Sequence, residues 1–266
     1  MEIFSSYSGS DFLAFYAVML ATCVAAGIWL PAVLRPSGRK GRVEDLEETA
    51  VLSGGAERHV TAVLSQLFAQ GALDSGANHE LRVVRTQVQG GDAERAVLNK
   101  VGGFKLSEAK SSLKGHADAV ERRLIRRGLM MDADERTRLR IIAVAPYLAL
   151  FGIGLYRQQA GDALGEPTGF LIGLLCLTFV FALIRLVKMN PRTVAGNAVI
   201  RDLENQASRM KRAPQASEAG YAVALFGTGV LVGTPWEPVH AMRQAGSGDS
   251  GTGGDSDGGG GGCGGG

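Results

Sequence analysis

Cysteine and histidine are scarce, three and four in 266 residues, and their scatter excludes most site chemistry. Cys23 and Cys176 fall inside apolar blocks and Cys263 falls in a glycine run, so no disulfide framework can be drawn and no redox compartment is indicated. His59, His79, His116 and His240 each stand without a second His, Cys or acid at the spacing that converges on a metal. His79-Glu80 is not followed by the His that a metalloprotease helix needs. No Ser sits in a nucleophile elbow, and Cys263 belongs to a stretch too flexible to hold a base beside it. The C-terminal glycines lack the Lys-Ser/Thr step of a phosphate loop. The expectation is a protein that is not an enzyme, with no cofactor, no metal and no small-molecule ligand.

Charge is missing from whole stretches. The net value of +2 implies no polyanion partner, and there is no Lys or Arg before residue 35, only Glu2 and Asp11. Residues 12–34 carry no charge at all, and as a helix these 23 residues reach about 34 Å, enough to cross a hydrocarbon core of about 30 Å. Ten Leu, Ile, Val and Phe residues favour its insertion by about 0.3 to 0.6 kcal/mol each, outweighing Pro31 near the far end. The basic n-region of a cleaved signal peptide is missing, and Leu20-Ala21-Thr22-Cys23 is a poor lipoprotein box because Thr precedes the Cys.

Residues 141–156 and 167–184 are two further uncharged blocks joined by the polar stretch 157–166, the pattern of a helical hairpin. The first is short, but Leu139 extends it, and Arg140 and Arg157 at its ends can snorkel to the interface. Pro146 is tolerated within it where neighbouring helices re-satisfy the backbone. No Asp, Glu, Lys or Arg lies at mid-depth, so an ion path or proton relay is unsupported. Residues 219–235 form a fourth uncharged block, but Gly220, Gly227, Gly229 and Gly233 each weaken a helix by about 1 kcal/mol relative to Ala. That block reads as a short packed or interfacial helix rather than a span.

The flanks fix an orientation. Arg35, Arg39, Lys40 and Arg42 follow the first block, Arg136, Arg138 and Arg140 precede the second, and Arg185, Lys188 and Arg192 follow the third. Positive charge stays in the cytoplasm, which places the N-terminus outside, with residues 35–138 and the C-terminus inside.

Between the first two spans, Val60, Val63, Leu64, Leu67 and Phe68 mark one apolar helix face, Gly71 a left-handed cap, and residues 72–74 and 80–85 a strand, turn and strand. The pattern recurs 57 residues later. Val63, Leu67, Phe68, Gly71 and Leu73 correspond to Val120, Leu124, Ile125, Gly128 and Met130, with a short helix before each copy at residues 44–52 and 92–101. Each copy resembles a small winged-helix module, although the second lacks a wing. Arg122, Arg123, Arg126 and Arg127 form a basic stripe beside the second apolar face. Across residues 35–140, however, 19 Lys or Arg face 15 Asp or Glu, far from the footprint of a nucleic-acid reader. The stripe therefore reads as an interaction face or one leaning on anionic headgroups, each cation contributing about 1 kcal/mol there.

Leu52-Ser53-Gly54-Gly55 with Arg58, the segment ending in Gly71-Ala72-Leu73, Arg127-Gly128-Leu129, the paired spans, Val223-Ala224-Leu225-Phe226-Gly227 and the glycines around Cys263 follow one another in a characteristic order. In that order the chain resembles a family of bacterial membrane proteins of unknown function whose C-terminal tails are glycine runs punctuated by cysteines. This tail departs from the pattern in carrying one cysteine among Asp and Ser. The resemblance implies a short helix, not a span, at residues 223–227, and hence an intracellular tail. It implies no catalytic residue.

The expected fold is mainly α, with three transmembrane helices, a cytoplasmic helical region that is duplicated and winged-helix-like, and a disordered glycine-rich tail. The segments are 1–11 outside, 12–34 spanning, 35–138 cytoplasmic with repeats 44–90 and 92–135, and 139–156 spanning. Then follow an external turn at 157–166, a span at 167–187, a basic helix at 188–218, a short apolar helix at 219–235 and the disordered tail at 236–266. The expected role is a bacterial inner-membrane module that binds the bilayer and a protein partner, with Arg122, Arg123, Arg126 and Arg127 as interaction residues and Cys263 as a thiol reporter of topology. The alternatives are a membrane-tethered DNA-binding regulator and an envelope protein displaying its tail outside.

Overall fold

The computed structural model describes residues 9–76, 80–88, 90–100, 102–163 and 169–247; His79, Cys263 and the tail from residue 248 lie outside the described residues. In chain order the elements are α1 (Gly9–Val33), α2 (Leu46–Ala69), β1 (Leu73–Ser75), β2 (Leu81–Val83), α3 (Asp92–Leu98), β3 (Gly103–Phe104) and α4 (Leu106–Arg126). They continue with α5 (Ala133–Ala163), α6 (Gly169–Val187), α7 (Val194–Gln206), α8 (Ser208–Arg212), α9 (Ala219–Phe226) and α10 (Glu237–Ser247). The chain divides into two compact units, one of Met1–Gly41 with Ile125–Ala198 and one of Arg42–Leu124 with Val199–Gly266.

The first unit holds three helices long and apolar enough to cross a membrane, within α1, α5 and α6, with candidate spans of 23, 29 and 19 residues. Only 17 to 33 % of each apolar window is buried inside the protein, so Val18, Ile28, Ile141, Leu148, Phe170 and Phe179 point outward. An apolar surface of that extent suits a hydrocarbon surrounding, in which a helix satisfies its own backbone. The helices alternate in direction. The Arg157 guanidinium lies 5.7 Å from the Phe12 ring centroid at one end, and Arg35 donates to the carbonyls of Asn190 and Arg192 at the other.

Small residues let these helices approach. A Cβ on Gly154 would stand 2.7 Å from Leu175 and 2.8 Å from Tyr16, and one on Gly27 2.8 Å from the Tyr147 ring. The Tyr16 hydroxyl lies 3.1 Å from that of Thr178; because Thr178 donates to Leu174 O, Tyr16 is the donor between them. α5 continues through Pro146, whose carbonyl accepts from the Cys23 thiol at 3.5 Å.

The spans differ from their expected limits for local reasons. α5 starts at Ala133 because Asp132 and Glu135 form a reciprocal cap, Glu135 N–H donating to Asp132 and Asp132 N–H to Glu135. It then runs through residues 157–163, where a turn was expected, since Arg, Gln and Ala are good helix formers. The tip at 164–168 lies outside the described residues. Residues 188–218 are not one helix: Pro191 has no N–H to give, so residues 188–193 stay outside any helix, and α7 and α8 follow.

In the second unit α2 is bent at Gly54 and Gly55. Gly55 sits at φ 69°, ψ −159°, a region only glycine occupies freely. The longer arm contributes Val60, Val63, Leu64 and Leu67 to the core, where they meet Leu113 of α4 and Val223 of α9. β1, β2 and β3 form an antiparallel sheet in that order, with Leu73 opposite Val83 and Leu81 opposite Phe104. On α4, Leu106, Ala109, Leu113, Ala117, Val120 and Leu124 are buried at spacings of three and four.

The expected disordered tail began at residue 236, but Glu237–Ser247 is α10, and its Val239 and Met242, three apart, are buried in the core. Residues 219–235 contain α9, eight residues or about 12 Å long and mostly buried, far too short to span. At the two proposed copies, Val63, Leu67, Val120 and Leu124 are all buried, and Gly71 and Gly128 have φ of 68° and 73°. Leu73 enters the β1–β2 hairpin, whereas Met130 bridges Arg192 instead.

Candidate functional site

The densest functional chemistry in the first unit is where α1 and α6 end and α5 begins. Three extended segments are stitched together there by main-chain bonds. Met131 N–H donates to Pro191 O, Thr193 N–H to Leu129 O, Arg39 N–H to Gly128 O, and Val194 N–H to Pro36 O. Thr193 closes the junction: its hydroxyl lies 2.9 Å from Gly128 O and accepts from Gly196 N–H, capping α7. Arg35 is half-buried, and desolvation draws its pKa down, but the carbonyls of Asn190 and Arg192 hold its charge.

Segments 34–41, 125–140 and 185–194 meet in this junction and its flanking turns and carry eleven Lys or Arg against three Asp or Glu. Asp132 and Glu135, two of those acids, are engaged in the α5 cap. Arg39, Lys40, Arg126 and Arg138 are exposed and have no ion-pair partner among the described residues. Arg140 keeps its Nε buried without a hydrogen-bond partner.

The four predicted arginines lie at the end of α4 and just after it. Arg122 and Arg123 belong to the second unit and are exposed, but Arg123 Nη1 reaches Glu48 Oε1 at 3.5 Å, and Glu48 is buried. Arg126 and Arg127 belong to the first unit; Arg126 is exposed and Arg127 half-buried. Cys263 lies outside the described residues.

A second polar cluster lies at the α2 bend. His59 is fully buried, and its Nε2 stands 2.9 Å from Glu47 Oε2 across the bend. That hydrogen bond, with the nearby His116 and Arg123 charges, pulls the Glu47 carboxyl below its usual value despite burial. Asp45 is moved the other way, first by burial and then by the charge of Glu47, with the N–H groups of Glu47 and Leu46 partly offsetting. Arg58, on the next turn, donates at 3.4 Å to Val223 O and Leu225 O, carbonyls near the end of α9. A side chain on Gly227 would stand 3.1 Å from that guanidinium.

Sequence reasoning missed these partnerships. Glu47 and His59 are close in the chain, but only the bend makes them meet. Arg58 and residues 223–227 were both singled out, yet no local pattern joins positions 165 apart. Among the described residues no group of His, Cys, Asp and Glu is placed to hold a metal. No family model, curated protein or solved structure matches the chain.

Proposed function

We propose that this chain is a membrane-anchored, non-enzymatic module of a bacterial inner membrane, with its N-terminus outside and its soluble unit and tail in the cytoplasm, where it binds a protein partner. The observation that carries the reading is the common basic end of three apolar helices, where segments rich in Lys and Arg are joined by main-chain bonds. The other end has Asp11, Asp162 and the single cation Arg157 among the described residues. Cations are retained on the cytoplasmic side. The resemblance to the glycine-tail membrane family is part of this proposal, as are the duplicated winged-helix comparison and the disordered state of the tail.

A DNA-reading role for residues 122–127 is the weaker alternative, because Arg123 is engaged by Glu48 and the region is close to charge balance. Display of the tail outside requires a fourth span, and the eight residues of α9 do not provide one. The test is a pull-down from detergent extracts after mild crosslinking, comparing the unaltered chain with one lacking the second unit's surface charges. A specific crosslinked protein is expected; substrate turnover by the purified chain, with no protein recovered, would overturn the reading.

A further inference from the structure

We propose that the basic end of the three-helix bundle is a rim that binds anionic lipid headgroups, so that the protein gathers a shell of acidic lipid around its spans. Retention of cations on one side requires only that they exist near the helix ends. The structure adds how they are held. Arg138 stands on the same outward stripe of α5 as Ile141, Ala145 and Leu148, all exposed, and is the first cation below that apolar surface. A phosphate at the hydrocarbon boundary would meet it there.

Arg39 and Lys40 are exposed on the segment whose backbone is fixed to Gly128, and Arg126 is exposed just before that glycine. These cations have no ion-pair partner among the described residues, and two of the three acids nearby are committed to capping α5. Arg140, half-buried on the turn that enters the apolar span, is the next cation along α5. Trp29, 66 % exposed near the same end of α1, is the residue type that settles at the headgroup level.

The cations are exposed on separate segments, at residues 39–40, 126 and 138, so the occupant is a surface that presents many phosphates at once rather than a single soluble anion. Attraction of this kind is additive over several cations and decays within a Debye length.

This inference rests on the membrane-spanning reading of the three helices, and its test begins with chain that stays in the membrane through alkaline carbonate; release at that step would sink the spanning reading itself. The full chain is reconstituted in phosphatidylcholine bilayers containing trace spin-labelled phosphatidylglycerol or phosphatidylcholine, and the motionally restricted fraction of each label is compared. Phosphatidylglycerol is expected to associate about three-fold or more over phosphatidylcholine in about 50 mM salt, with the preference collapsing toward parity in about 500 mM. The combined substitution Arg39→Gln, Lys40→Gln, Arg138→Gln and Arg140→Gln should remove it. If the combined variant fails to reconstitute, the salt series on the unaltered chain still decides. Parity at low salt, a preference the combined variant keeps, or one abolished by inorganic phosphate at matched ionic strength would each overturn the proposal.

Discussion

Arg58 has the sequence appearance of one more solvated cation on an amphipathic helix. Its guanidinium instead satisfies two carbonyls near the end of α9, and Gly227, at φ 84° and ψ 174°, turns the chain away beside it. Replacing Arg58 by Ala leaves both carbonyls without that donor and should cost about 1 to 3 kcal/mol, read as a lower unfolding midpoint of the purified chain. Asp45 and Glu47 make opposite contributions to the response to acid. The Glu47 carboxyl is held below its usual 4.5, so it stabilises the fold above that value and the benefit is lost as pH falls through the lowered one. Asp45 is held above its usual 3.8, so its charge opposes folding at neutral pH and the penalty disappears as acid protonates it. Asp45→Asn, which keeps a good helix-capping residue, should therefore raise the neutral-pH midpoint, with the gain shrinking on descent into the carboxylate range. Glu47→Gln should lower it at neutral pH and flatten the acid limb. Equal midpoints across the pH series for all three proteins would contradict both assignments.

At the scale of elements, the apolar helices were the most legible feature, because insertion depends on local composition and on length. Their packing was not. Nothing in the string distinguishes Gly154, wedged between Tyr16 and Leu175, from Gly173, which faces open space. Gly154→Val should force the helices apart and cost about 1 to 3 kcal/mol, while Gly173→Val should leave detergent-solubilised stability within about 0.5 kcal/mol. Thermal unfolding of the two variants side by side separates them, and equal loss in both would refute the close approach. Helix ends were read less well than helix bodies. The Asp132-x-x-Glu135 cap was a readable signal that went unused, and α10 went unread because its two core residues sit beside a glycine-rich stretch that dominates local composition.

On the scale of the whole molecule, the proposed topology is argued from parity and charge. If the three helices span as proposed, segments 34–41, 125–140 and 185–194 share one side, and main-chain bonds join residues 36–39 to residues 128 and 194–195. Cys263 offers a check, because Cys23 is buried in the bundle and Cys176 faces outward from the middle of α6, where lipid excludes a charged reagent. A membrane-impermeant maleimide should label nothing on intact spheroplasts and Cys263 after lysis; labelling before lysis would place the tail outside. By itself the sequence determined the three apolar helices, the hairpin and the principal helix faces. All of these depend on residues within a few turns of one another or on composition summed over a window. Only the tertiary structure decided that Arg58 caps α9, that Arg123 is engaged by a buried Glu48, and that three distant basic segments are stitched into one rim. Those are contacts between residues tens to more than a hundred positions apart, set by where the glycine bend and the helix packing bring the chain back on itself, and no local periodicity encodes them.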